Sequence, residues 1–132
     1  YNANVASMNA ALELYKEAKA PGGKKVVVLG DMLEMGPQGP VLHVGLADAV
    51  LRSGVSHVYL VGPVMSALAD ELARRAGSDR DLAGVTHVQT VEEIAEPLFA
   101  ALAYGDAVMV KGSKGVRLAS LVKTIRERFE KA

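Results

Sequence analysis

The run Lys25-Val26-Val27-Val28-Leu29, ended by Gly30, constrains the fold of this chain more than any other segment. A short β-branched run reads as a strand, and its unbroken apolarity requires cover on both faces. The flanking sequence supplies that cover. From Asn4 onward, Met8, Ala11, Leu12 and Tyr15 recur at helical spacing, and this first helix stops before Pro21-Gly22-Gly23. Downstream the pattern predicts a helix Val41 to Arg52, a strand His57 to Val61, a helix Val64 to Arg75 and a strand Val85 to Gln89. A helix Val91 to Ala103, a strand Ala107 to Val110 and a last helix from Val116 to about Glu130 follow. Leu118, Leu121, Val122, Ile125 and Phe129 give the last helix one core-facing stripe. Such alternation predicts a single α/β domain, a Rossmann-like three-layer sandwich with a mostly parallel sheet and right-handed crossovers. In the common strand order 3-2-1-4 the loops after Leu29 and Val110 flank the point where the order reverses, the usual place for a ligand.

Composition narrows the function classes. The 132 residues are 50% hydrophobic, enough for one sizeable core, and 15 Lys and Arg balance 15 Asp and Glu. A balanced chain has no long-range field to gather nucleic acid or an anionic membrane surface. The absence of cysteine excludes disulfides, thiolate metal sites and a Cys nucleophile. Tyr1 to Met8 contains no basic region or apolar run, and no stretch approaches the roughly 18 to 20 apolar residues of a membrane span, so the chain is expected to be soluble and not exported. Gly36-Pro37-Gln38-Gly39-Pro40 is expected to be a loop incompatible with helix.

Two loops carry the candidate chemistry. Lys111-Gly112-Ser113-Lys114-Gly115 stands immediately before the last helix, where two glycines would let the backbone approach a ligand and the helix start, Ser113 and two lysines would favour an anion. Spacing alone leaves a carboxylate or phosphate site level with a capping serine between solvated lysines. Neither G-x-x-x-x-G-K-[ST] nor G-x-G-x-x-G occurs, so there is no standard phosphate cradle. In Gly30-Asp31-Met32-Leu33-Glu34-Met35-Gly36 the acid follows a central strand and would face the cleft, unless it merely begins a turn. Met32, Leu33 and Met35 are too apolar for a solvated loop and suggest a docking surface, unless the methionines pack inward. His57 and His87 read as structural residues at strand starts. His43, beside the first loop, reads as a capping or packing residue, not as a base.

Three motifs together are specific where each alone is weak. Tyr1-Asn2-Ala3-Asn4-Val5-Ala6-Ser7-Met8 resembles YNANP-x-SM, Val28 to Gly36 resembles LGDM-x-ELG, and Val110-Lys111-Gly112-Ser113 resembles VKGS, in the order and spacing found in the Mur ligases that add D-alanyl-D-alanine (the MurF family). The resemblance covers essentially the whole chain, as that family's C-terminal domain. Val5 departs from the usual proline, Met35 from a frequent leucine and Leu118 from a frequent methionine, and none of these removes a polar group.

The resemblance implies a Mur ligase C-terminal fold and a share in an ATP-dependent amide ligase of the bacterial cytoplasm. In peptidoglycan precursor synthesis the carboxylate of the UDP-muramoyl tripeptide is phosphorylated by ATP, and the amine of D-alanyl-D-alanine attacks the acyl phosphate. The UDP-sugar domain and the central ATPase domain, with the magnesium ligands, have no counterpart here, so the chain reads as a fragment that docks on the missing central domain, holds no metal and is inactive alone. The resemblance also implies that Tyr1, Asn2 and Asn4 meet the ATP base and ribose, with Asn4 also an N-cap, and that Asp31 faces the nucleotide or the interdomain cleft. It implies that Lys111, Gly112, Ser113 and Lys114 hold the dipeptide carboxylate. A signalling receiver fails for want of an aspartate where the strands end in Val61-Gly62-Pro63 and Gln89-Thr90. A non-catalytic nucleotide-binding regulatory module is the runner-up.

Overall fold

The computed structural model describes residues 4–33, 35–78, 82–113 and 116–129. Helix α1 (Val5–Lys16) opens on a reciprocal capping box, in which the Asn4 side chain accepts the Ser7 N–H at 2.8 Å and the Ser7 hydroxyl accepts the Asn4 N–H at 3.1 Å. Strand β1 (Lys25–Gly30) is buried at every position after the first, as its unbroken apolarity requires. There follow α2 (Gly39–Val44), α3 (Ala47–Arg52), β2 (His57–Val61), α4 (Ser66–Arg75), β3 (Gly84–Val88), α5 (Val91–Ala101), β4 (Ala107–Lys111) and α6 (Ala119–Phe129). The four strands are all parallel, in the order β3-β2-β1-β4.

Side-chain alternation along the strands builds two cores. Val27, Leu29, Val58 and Leu60 pack against α1, α3 and α4, while Val26, Val28, Tyr59 and Val61 pack against α5 and α6. The result is the expected three-layer sandwich, with the strand order reversing between β1 and β4.

Three expectations are corrected. Gly36-Pro37-Gln38-Gly39-Pro40 is helical: Gly36–Gln38 forms a 3-10 turn and Gly39 and Pro40 open α2. Both prolines occupy first-turn positions, where a missing N–H costs no hydrogen bond. The helix expected over Val41 to Arg52 is two helices separated at Gly45 and Leu46. The last helix starts at Ala119, not Val116, because Arg117 adopts a left-handed backbone with φ of 65°.

Candidate functional site

The carboxyl ends of β1 and β4 meet almost without a gap. A Cβ on Gly112 would lie 2.9 Å from the Gly30 Cα and 2.8 Å from a Leu118 methyl, and a Cβ on Gly30 would lie 2.8 Å from a Val116 methyl. These glycines therefore admit the neighbouring strand and the start of the last helix. The close approach that the missing Cβ of Gly112 permits is to the protein itself.

Over this seam Ser113 is tied to the β1 loop twice. Its N–H donates to the Asp31 carbonyl oxygen at 3.2 Å, and its Oγ accepts the Leu33 N–H at 2.9 Å. A hydroxyl has one proton and two acceptor sites, so accepting from Leu33 leaves the proton for an acceptor elsewhere. Ser113 and Lys111 line one cleft of about 300 Å³ along the outer edge of β4, closed by Arg117, Leu118, Ala119 and Val122. A partly apolar cleft bordered by a lysine and a serine suits a small anion attached to an apolar group. Tyr1, Asn2 and Lys114 lie outside the described residues.

Asp31 differs from expectation. Its carboxylate is 1% exposed and turned onto the chain after β2, with one oxygen accepting the Met65 N–H at 2.8 Å and the other the Val64 N–H at 3.1 Å. The carboxylate thereby satisfies amides that precede α4 and have no intrahelical acceptor. The residue still borders a second cleft, about 240 Å³, with Leu33, Gly62, Gln89, Thr90 and Glu92. Arg117, which the sequence reading missed, lines both clefts and reaches Glu92 at 3.6 Å. No local signal marks it, since its place depends on a left-handed backbone that a run such as Gly115-Val116-Arg117 does not announce. Asn4 caps α1 as expected and borders neither cleft.

The apolar loop splits. Met32 is 1% exposed and belongs to the core, which corrects its place on a docking surface, whereas Leu33 is 40% exposed and Met35 half-buried. Leu33 and Met35 border a third cleft of about 400 Å³ with Pro40, Pro63 and Val64. His43 is buried and bonded, as a packing residue should be. His57 bonds the Thr86 hydroxyl at 3.0 Å and His87 the Gly62 carbonyl oxygen at 2.7 Å. Among the described residues no group of three or more His, Cys, Asp or Glu could hold a metal, and no helix is long and apolar enough to cross a membrane.

The family model for the Mur ligase glutamate ligase domain matches residues 1–114. The UDP-N-acetylmuramoyl-tripeptide--D-alanyl-D-alanine ligase of Rickettsia prowazekii is 33% identical over 122 residues, 92% of this chain and 25% of that protein. A crystal structure of MurF from Acinetobacter baumannii superposes with a TM-score of 0.78 at 26% identity, over 96% of this chain and 27% of that one. MurF from Thermotoga maritima, solved in complex with ADP, gives 0.72 at 22% identity over 99% of this chain and 27% of that one, a likeness of fold. The chain thus spans about a quarter of the length of these relatives. With the strand order, the β1–β4 seam and the family match in agreement, the chain belongs to the Mur ligase family, as its C-terminal glutamate ligase domain.

Proposed function

We propose that this chain is the C-terminal, substrate-contacting domain of a cytoplasmic ATP-dependent ligase that adds D-alanyl-D-alanine to a UDP-muramoyl tripeptide. The observation that carries the reading is that Lys111 and Ser113, whose oxygen is already engaged by Leu33, border one cleft at the strand-order reversal. Lys111 supplies charge to the dipeptide carboxylate and Ser113 a directed hydrogen bond, with Lys114 and the Gly112 backbone completing the grip. The dipeptide is then held by its carboxylate end, and its amine is left to reach the acyl phosphate. Orientation of this kind is worth several kcal/mol in a reaction between two bound partners.

Tyr1, Asn2 and Asn4 are assigned to the ATP base and ribose, and the similar Thermotoga protein was solved with ADP. Asp31 serves the same region indirectly, by fixing the turn at Val64 and Met65 beside the second cleft. ATP supplies the phosphoryl group, and Mg2+ is assigned to the central domain. Leu33 and Met35 border the face that meets the central domain, and closure of that interface would exclude water from the acyl phosphate.

In the full-length ligase, Ser113→Ala should remove one hydrogen bond to a charged group, worth roughly 1.5 to 3 kcal/mol, and raise the dipeptide KM by about one to two orders of magnitude. The ATP KM should stay put. Lys111→Ala should be worse and extend to kcat. Unchanged dipeptide kinetics with weakened ATP binding in Ser113→Ala would reassign the loop to the nucleotide. The 132-residue chain alone should neither hydrolyse ATP nor form the amide bond, and turnover above a blank would refute that division of labour.

A further inference from the structure

His43 is fully buried in α2 and lines none of the three clefts described. Its Nε2 stands 2.9 Å from the Met32 amide nitrogen and its Nδ1 2.7 Å from the Gly39 carbonyl oxygen. A backbone N–H only donates and a carbonyl oxygen only accepts, so the ring must be the neutral tautomer with its proton on Nδ1. An apolar side chain of equal volume would fill the same space without burying two polar atoms. What the imidazole adds is the pair of bonds.

Those bonds lead to Ser113. The Met32 N–H and the Asp31 C=O are the two ends of one peptide unit, and that same carbonyl accepts the Ser113 N–H at 3.2 Å. The unit is planar and trans, so its N–H and C=O point to opposite sides and it cannot turn away from His43 without moving the oxygen that holds Ser113. Hydrogen bonds in series through one peptide also polarise each other. The next amide along, Leu33 N–H, is the donor to the Ser113 hydroxyl oxygen at 2.9 Å.

We propose that His43 is a positioning residue for Ser113: by clamping the Asp31–Met32 peptide it fixes the Ser113 backbone and, through Leu33, the direction of its hydroxyl. As far as substrate is concerned the inference rests on the assignment of Ser113 to the dipeptide carboxylate. It makes a buried histidine some distance from the cleft a determinant of dipeptide affinity and not of ATP affinity.

Three variants of the full-length ligase test it. His43→Asn keeps a donor toward Gly39 but is too short to accept from Met32, His43→Gln carries an amide oxygen at about the reach of Nε2, and His43→Phe removes both bonds. The measurements are the steady-state constants for D-alanyl-D-alanine and ATP, and amide hydrogen exchange at Leu33 and Ser113. His43→Asn and His43→Phe should raise the dipeptide KM about five- to tenfold, the worth of one neutral hydrogen bond, and speed exchange at Ser113. The ATP KM should not change, and His43→Gln should return toward the parent enzyme. In a Ser113→Ala background His43→Asn should add little, because the hydroxyl it orients is gone.

Additive effects, equal rises in both KM values, or unchanged Ser113 exchange in His43→Asn would overturn the proposal. Should Ser113→Ala alone leave the dipeptide KM unchanged, the substrate assignment falls, and exchange at Ser113 still decides whether His43 holds that residue. Should His43→Phe fail to fold, the contrast between Asn and Gln at this position carries the same decision.

Discussion

Asp31 illustrates how a residue can be found in the sequence and its direction missed. An acid after a central strand was legible, but whether it turns outward depends on amides more than 30 residues away, at Val64 and Met65, and on Gly62, where a Cβ would run into the Asp31 carboxylate. Replacing it by asparagine leaves one acceptor oxygen and sets an NH2 group against an amide donor. Asp31→Asn should therefore lower stability by about 1.5 to 3 kcal/mol in urea denaturation, the worth of a charge-assisted bond in a buried place. Ser113 was legible as a loop residue before a helix. Its bond to Leu33 was not, because nothing local links positions 80 residues apart. Arg117 carries the opposite kind of message, since its backbone at φ 65° opposes the preference of any side chain with a Cβ. Arg117→Gly should raise the thermal midpoint, by relief of up to about 1 kcal/mol, provided that its exposed pairing with Glu92 contributes as little as such pairs usually do.

Strands were the most legible elements. His57–Val61 matches its expected limits, and the other three differ by one residue at one or both ends, because short β-branched runs bounded by glycine or polar residues have few alternative readings. Helix ends were less legible. The Gly-Pro segment was read by composition, whereas position within a first turn decides what proline does there. A similar lesson applies in reverse to Pro97, which lies inside α5 on its exposed side and denies Glu93 its intrahelical partner. Pro97→Ala should restore that bond and stabilise the domain by about 1 to 3 kcal/mol, read as a higher midpoint in thermal unfolding. Persistence of the parent midpoint would mean that the ring is repaid by packing on α5.

Across the whole molecule, the end of the sheet opposite the cleft carries the groups that set pH dependence. Burial alone would push the Asp106 carboxyl up, but the Lys24 ammonium at 2.6 Å and the Lys24 and Ala103 amides outweigh it and hold it below 3.8. Its stabilising contribution is complete above 3.8 and is lost as pH falls through the lower folded value. Burial, then the Lys24 charge, lowers His57 from 6.5, so the folded state favours the neutral ring and loses stability as pH drops below 6.5. Burial pushes the Tyr15 hydroxyl up to about 12, so its contribution is complete below 10 and lost as pH rises through about 12. Unfolding free energy should thus be flat between about pH 6.5 and 10, with His57→Gln flattening the first acid step and Asp106→Asn the second. The strand order has a consequence in time as well as in space. β1 pairs with β2 and β2 with β3, each its successor in the chain, whereas β4 returns across about 80 residues to close on β1, the costliest loop closure in the sheet. A chain leaving the ribosome can lay down three strands and one core while the cleft does not yet exist, because Ser113 has not been made. Ligand can therefore reward only the finished sheet and cannot guide its early steps, so anion binding in a refolding experiment should appear together with the last kinetic phase.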